Sequence, residues 1–161
     1  VSCHWLSQPI EDDNLLVLFS PMLEPITPDN ADPIEGYIQG SVLFDFEKVF
    51  CEKHSHLPHT LPSREVFTQE MQKLGIEQNT VLVIYDAKGI YSAPLVEWMC
   101  QVMGHRNSFI LDGGLPDWLK AGLPIQSPLS HRPGLGNFRA KFNDKAVIET
   151  QALLKQLEPV L

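Results

Sequence analysis

The chain has no apolar run long enough to cross a bilayer and no cluster of basic residues dense enough to follow a phosphate backbone. Lys and Arg number 12 against 20 Asp and Glu, for a net charge of −8. Neither a nucleic acid nor a membrane is therefore an expected partner. Cysteine is scarce as well: Cys3, Cys51 and Cys100 are odd in number and far apart. That spacing offers no disulfide framework and no C-x-x-C pair for zinc, and it fits a reducing, cytoplasmic setting. The opening VSCHWL has neither the basic nor the apolar region of a signal peptide, so none is expected. An initiator Met is missing too, which suggests numbering that starts inside a longer or trimmed product. Internal repeats and low-complexity tracts are absent. What is present is 161 residues, 43% hydrophobic and 20% charged, enough for one globular domain with a little left over.

The most regular pattern lies in residues 81–98, VLVIYDAKGIYSAPLVEW. Its first five residues, Val81 through Tyr85, read as a strand buried on both faces of a parallel sheet. A short loop, Asp86-Ala87-Lys88-Gly89-Ile90-Tyr91, leads to Ser92 at a helix N-cap position. Ala93, Val96, Met99, Val102 and Met103 then recur at helical spacing, and Gly104 is placed to stop the helix. In open α/β sheets ligands gather past the carboxyl ends of strands, where backbone N–H groups and helix N-termini favour anions. The loop is thus where chemistry is expected. Yet it contains no cysteine, histidine or serine nucleophile, apart from the capping Ser92.

Around this unit the chain alternates strand and helix patterns, which gives a small parallel α/β domain. Residues 1–8 read as a short entry strand and turn, with Trp5 and Leu6 available to pack, and residues 15–19 (LLVLF) as a buried strand. The Pro-, Asp- and Asn-rich stretch 20–33 is long for a loop in a compact domain, which marks it as functional or mobile. Val42-Leu43-Phe44 is a second short strand. Ser63 caps a helix carrying Phe67, Met71 and Leu74, closed by Gly75. Residues 108–111 form a further strand, Asp112-Gly113-Gly114 a tight turn, and 115–119 the start of a short helix ending near Gly122. Residues 124–137 read as a linker or surface wrap, and 138–142 alternate like a strand. Thr150 caps a last helix over 151–158, with Leu153, Leu154 and Leu157 on one face.

Two groups of residues invite chemical readings of their own. His54, His56 and His59 lie close together, but H-x-H-x-x-H in a loop has no fixed ligand geometry and no nearby Cys, so no metal is expected. Cys100 falls on a helical core position and Cys51 in a polar segment, where an exposed, unreactive thiol is expected. The composition calls for no cofactor.

Four stretches in order resemble one family. Gly36-Tyr37-Ile38-Gln39-Gly40-Ser41 with Phe44-Asp45 is similar to the G-H-I-P-G-A…F-D signature of rhodanese domains. Leu57-Pro58-His59-Thr60-Leu61-Pro62, residues 85–98, and residues 111–118 (LDGGLPDW) resemble the first domain of two-domain thiosulfate and 3-mercaptopyruvate sulfurtransferases. The resemblance implies a rhodanese-like three-layer α/β domain, a central parallel sheet flanked by helices, over residues 1–126. It implies a linker and the start of a second, absent rhodanese domain over 127–161.

In the active members a persulfide-forming Cys stands directly after the central strand, where this chain has Asp86. A carboxylate cannot accept sulfane sulfur, and it is expected to repel the anionic donors of the family. Residues Asp86, Ala87, Lys88, Gly89, Ile90 and Tyr91 are thus implied to be a vestigial loop, with the nucleophile on a second rhodanese domain of the same chain. Glu47 and His59 match the acidic residue after F-D-x and the histidine of the P-H-x-L-P turn, which implies that they assist that Cys by proton transfer. The alternative is that His59 only fixes the turn and Glu47 is a solvated charge. Leu95 replaces an arginine of the family pattern, Glu97 a tryptophan, Tyr37 a histidine and Gln39 a proline.

Two functions follow. One is half of a sulfurtransferase that moves sulfane sulfur from a small anionic donor, 3-mercaptopyruvate or thiosulfate, to a thiophilic acceptor. The other is a catalytically inactive rhodanese-like module for docking or regulation. Nucleotide binding at the loop is disfavoured because Gly89 is its only glycine, and a phosphatase of this fold would need the same missing Cys.

Overall fold

A computed structural model describes residues 1–8, 14–22, 34–132 and 134–157. The two apolar five-residue runs become the central strands, β1 (Leu15–Phe19) and β4 (Val81–Tyr85), paired in parallel from Leu15↔Val81 to Phe19↔Tyr85. β3 (Val42–Leu43) extends the sheet beside β1, and β5 (Ser108–Ile110) beside β4, both in parallel, giving the order β3-β1-β4-β5. Because strand side chains alternate, each central strand feeds two cores. Leu16, Leu18, Leu82 and Ile84 face one side; Val17, Phe19, Val83 and Tyr85 face the other. Burial on both faces is why these runs show no polar alternation.

The first core is closed by α2 (Arg64–Lys73) and α3 (Ala93–Val102). Ser63 starts α2 as expected, its Oγ accepting the Val66 N–H at 3.2 Å, and Phe67 and Met71 go inward. Phe44 stacks on Phe50 at 3.8 Å, with Phe67 edge-on to Phe50 at 5.4 Å. The second core is closed by α4 (Gly114–Lys120), through Leu115 and Trp118, and by Leu6 of α1 (Cys3–Leu6). The result is the expected three-layer α/β arrangement. No helix among the described residues is long and apolar enough to cross a membrane.

Several expectations change. Residues 3–6 form a turn of helix, not an entry strand: Ser2 Oγ caps it by accepting from Trp5 N. The Tyr37–Ile38 pair, β2, joins antiparallel to Ile125–Gln126, β6, inside a stretch read as linker. Each strand has only two residues, and their pairing is long-range, so no local period announces it. Residues 138–142 alternate in burial at Phe138 and Ala140 but form no sheet; they strap across the ends of α2 and α3. Helix α5 (Thr150–Leu157) includes Thr150 instead of being capped by it, since Leu153 N already donates to Glu149 O at 2.9 Å. Its Leu153, Leu154 and Leu157 are exposed, and it buries no residue. Most of the long Pro-rich stretch, residues 23–33, lies outside the described residues.

Candidate functional site

All four sheet strands are parallel, so the segments after their carboxyl ends share one end of the molecule. Those segments carry Ser20 after β1, Glu47 and His59 after β3, Asp86 after β4 and Gly113-Gly114 after β5. This is the end at which chemistry was expected.

Asp86 follows β4 directly and is 1% exposed. Its Oδ1 accepts from Lys88 N at 2.8 Å, and its Oδ2 from Tyr91 N at 2.7 Å, Ser92 N at 3.0 Å and Ala93 N at 3.0 Å. The loop is therefore an anion cradle whose anion is its own side chain. The carboxylate already uses four converging backbone N–H groups. It also displaces Ser92 from its expected capping work. Ser92 stands at the N-cap position of α3 without a side-chain cap bond; its Oγ donates to Ser20 O instead. Asp86 Oδ2 takes the N-terminal N–H groups in its place.

The loop is held in shape from the neighbouring turn. Gly89 has φ +108°, which only glycine adopts without strain. Leu115 N donates to Asp86 O at 3.0 Å, and a Cβ on Gly114 would come within 2.7 Å of Gly89 O and 2.8 Å of Asp86 O. Ser20 and Gly114 thus shape the site; the sequence marked Gly114 only as part of a tight turn and did not single out Ser20. On the outer side, Lys88 Nζ lies 5.2 Å from the centre of the Tyr91 ring, and Ile90 and Tyr91 are exposed. Beneath, Tyr85 Oη accepts from Ile38 N at 3.1 Å and bonds with Ser41 Oγ at 2.9 Å.

His59 is the one non-glycine described with a positive φ, +55°. A left-handed histidine is uncommon, and such strain persists where surrounding contacts impose it. Here the loop is braced by Glu52 N to Thr60 O at 3.0 Å and by the Ser55 and Thr60 hydroxyls at 2.7 Å. The imidazole sits 5.4 Å from the Phe46 ring, and its Nδ1 is buried with no hydrogen-bond partner. The ring packs on Phe46, and no carboxylate bonds its Nδ1. Glu47 is half-buried in the turn beginning at Asp45, whose Oδ1 accepts from Lys48 N at 2.9 Å. His54 and His56 are exposed, and no group of three or more metal-ligating side chains converges among the described residues.

None of the thiols lies in the loop. Cys100 is buried on α3, where burial first and Glu97 second push its pKa up. Cys3 is half-buried, its pKa raised by burial and by Asp117. Cys51 is half-buried too, against the expectation of exposure, because its Sγ turns in to donate to Glu47 O at 2.9 Å.

Comparison with known proteins agrees with this fold. The profile of the rhodanese-like domain matches residues 2–121. The 3-mercaptopyruvate sulfurtransferase of Escherichia coli is 33% identical over 157 residues, covering 96% of this chain and 55% of that protein. The bovine thiosulfate sulfurtransferase is 34% identical, covering 98% of this chain and 55% of its own length. The crystal structure of SseA from Escherichia coli superposes with a TM-score of 0.87 at 31% identity, over 98% of this chain and 61% of that one. The chain spans about half the length of these curated relatives.

Proposed function

This chain belongs to the rhodanese-like domain family, and from that premise we propose that it is the non-catalytic half of a two-domain sulfurtransferase. The observation that carries the reading is Asp86: a carboxylate fills the N–H cradle at the strand end where a persulfide-bearing thiolate would otherwise sit. A second rhodanese domain of the same chain supplies that thiolate. The thiolate attacks the sulfur of 3-mercaptopyruvate; an S–S bond forms, the C–S bond breaks, and the pyruvate enolate leaves to be protonated. With thiosulfate the leaving group is sulfite. A thiophilic acceptor then takes the outer sulfur.

In this scheme residues 1–126 form the supporting domain and 127–161 lead into the second. His59, held at the carboxyl end of the sheet, moves the proton, and Glu47 assists it. An imidazole suits the task because it exchanges protons near neutral pH. Phe46 packs against the ring, so the folded state of a His59 variant is checked alongside its rate.

The test uses the full-length chain with 3-mercaptopyruvate. His59→Ala is expected to lower turnover about 10²-fold in a folded protein. The 161-residue chain alone is expected to turn over neither donor. An unchanged rate in His59→Ala would remove the residue from the chemistry, and turnover by the short chain that alkylation of Cys51 abolishes would relocate the nucleophile.

A further inference from the structure

Beyond β6 the chain returns over the first core as a strap, residues 136–143. Gly136 N donates to Gln72 O at 2.8 Å and Phe138 N to Ile76 O at 3.2 Å. Ala140 N donates to Thr68 Oγ1 at 3.0 Å, Lys141 N to Met103 O at 2.8 Å, and Asn143 N to Val102 O at 2.8 Å. Two side chains anchor it, Phe138 at 0% exposure and Ala140 at 8%. The last described helix, α5, hangs from its far end.

Beneath the strap lies His105, the residue after Gly104 ends the α3 segment. It is 0% exposed, and neither ring nitrogen has a hydrogen-bond partner. Its ring packs 5.5 Å from that of Phe138, and the Lys141 main chain closes on Gly104 next to it. A buried polar group without a partner is rare enough to require an explanation.

We propose that His105 and Phe138 form a proton-operated latch: the neutral imidazole keeps the strap closed, and protonation opens it, freeing residues 136–143 and α5 while the sheet stays folded. The argument is one of exits. An imidazolium gains a second N–H and a charge; the closed site offers it only the main chain of Glu77 and of His105 itself and no counter-ion, and burial outweighs them. The ring faces Phe138 and the backbone of Glu77, while the His105 main chain is held by the Cys100 carbonyl, which accepts from His105 N, and by Ser108, whose Oγ donates to His105 O. The Glu77 and Lys141 side chains are exposed to solvent, and no ionised side chain is among the influences on the ring. The strap covers the ring through one phenyl group and is itself held by a few backbone bonds, whereas β1 and β4 pair along five residues. Opening the strap is the smaller rearrangement.

Burial lowers the His105 pKa, with the Glu77 backbone partly opposing. In the open form the ring would titrate near the ordinary value of about 6.5. The open fraction therefore grows as pH falls below about 6.5, by up to about tenfold per pH unit, until the closed-state pKa is reached.

Amide hydrogen exchange followed by NMR, corrected for intrinsic rates, reads this directly. Protection of Phe138, Lys141 and Asn143 is expected to fall up to about tenfold per pH unit below pH ~6.5, while Leu82 and Leu111 in the sheet keep theirs. His105→Phe is expected to abolish the pH dependence. Should that variant not fold, Phe138→Ala serves: it uncovers the ring, and the His105 titration midpoint seen by NMR should rise toward the ordinary value. Strap and sheet amides losing protection together, a slope that survives His105→Phe, or a midpoint unmoved by Phe138→Ala would each overturn the latch.

Discussion

Asp86 shows how much one side chain can settle. Four backbone N–H groups point at it from a loop only a few residues long, and the residue is almost wholly buried. Asp86→Ala strands those donors, and water can reach only some of them. A buried donor left unmatched costs about 1–3 kcal/mol, so a loss of ~2–4 kcal/mol in urea-denaturation stability is expected. Asp86→Cys puts a thiol into the same cradle. Converging N–H groups and the N-terminus of α3 both favour a thiolate, so its alkylation should follow a midpoint below the usual value of about 8.5 and outpace that of Cys51 at neutral pH. A midpoint at or above 8.5 would mean that the donors do not converge on the shorter side chain. The position of Asp86 after a buried strand was legible in the sequence. The use of its carboxylate was not, because that depends on the positive φ of Gly89 and on a non-local clamp from Gly114.

At the scale of elements, legibility followed the range of the contacts. The β1 and β4 runs, the Ser63 cap and the Gly75 and Gly104 stops are local signals, and each appears where it was read. Strands β2 and β6 are too short to carry a period and exist only through each other. Helix α5 presents the opposite case, a clear amphipathic pattern that is buried against none of the described residues. Eight residues form a marginal helix in water without a tertiary partner. Its amides are therefore expected to exchange at nearly intrinsic rates in the 161-residue chain. Replacing Leu153, Leu154 and Leu157 together by Ser should change stability by no more than about 0.5 kcal/mol, since all three are already exposed. A larger loss in the denaturation midpoint would reveal a packing partner for the helix. If α5 docks on a second domain, the same replacement should be costly in a chain that carries that domain.

For the molecule as a whole, Tyr85 is the fastening that joins the two sheets. It ends β4, packs 5.2 Å from Phe19, and through its Oη holds Ile38 of β2 and Ser41 ahead of β3. Burial, partly offset by these hydrogen bonds, pushes its pKa up to about 12. An unfolded tyrosine ionises near ~10. Below pH ~10 the phenol is neutral in both states and its contribution is complete. Between about 10 and 12 the unfolded chain loses its proton first, so stability falls as pH rises through the folded value. Tyr85→Phe removes the hydroxyl, strands the Ile38 N–H, and should cost about 1–3 kcal/mol near neutral pH. The variant has no phenol to titrate at this site. Its deficit relative to the parent should therefore stay level from pH 8 to about pH 10 and shrink from there toward pH 11.5 as urea midpoints are compared, other titrating groups cancelling in the difference. Absorbance at 295 nm should likewise show one of the three tyrosines resisting ionisation until about pH 12. A deficit that stays constant across that range would mean that Tyr85 ionises in the folded protein as easily as in the unfolded chain, and that the joint between the sheets is open to water.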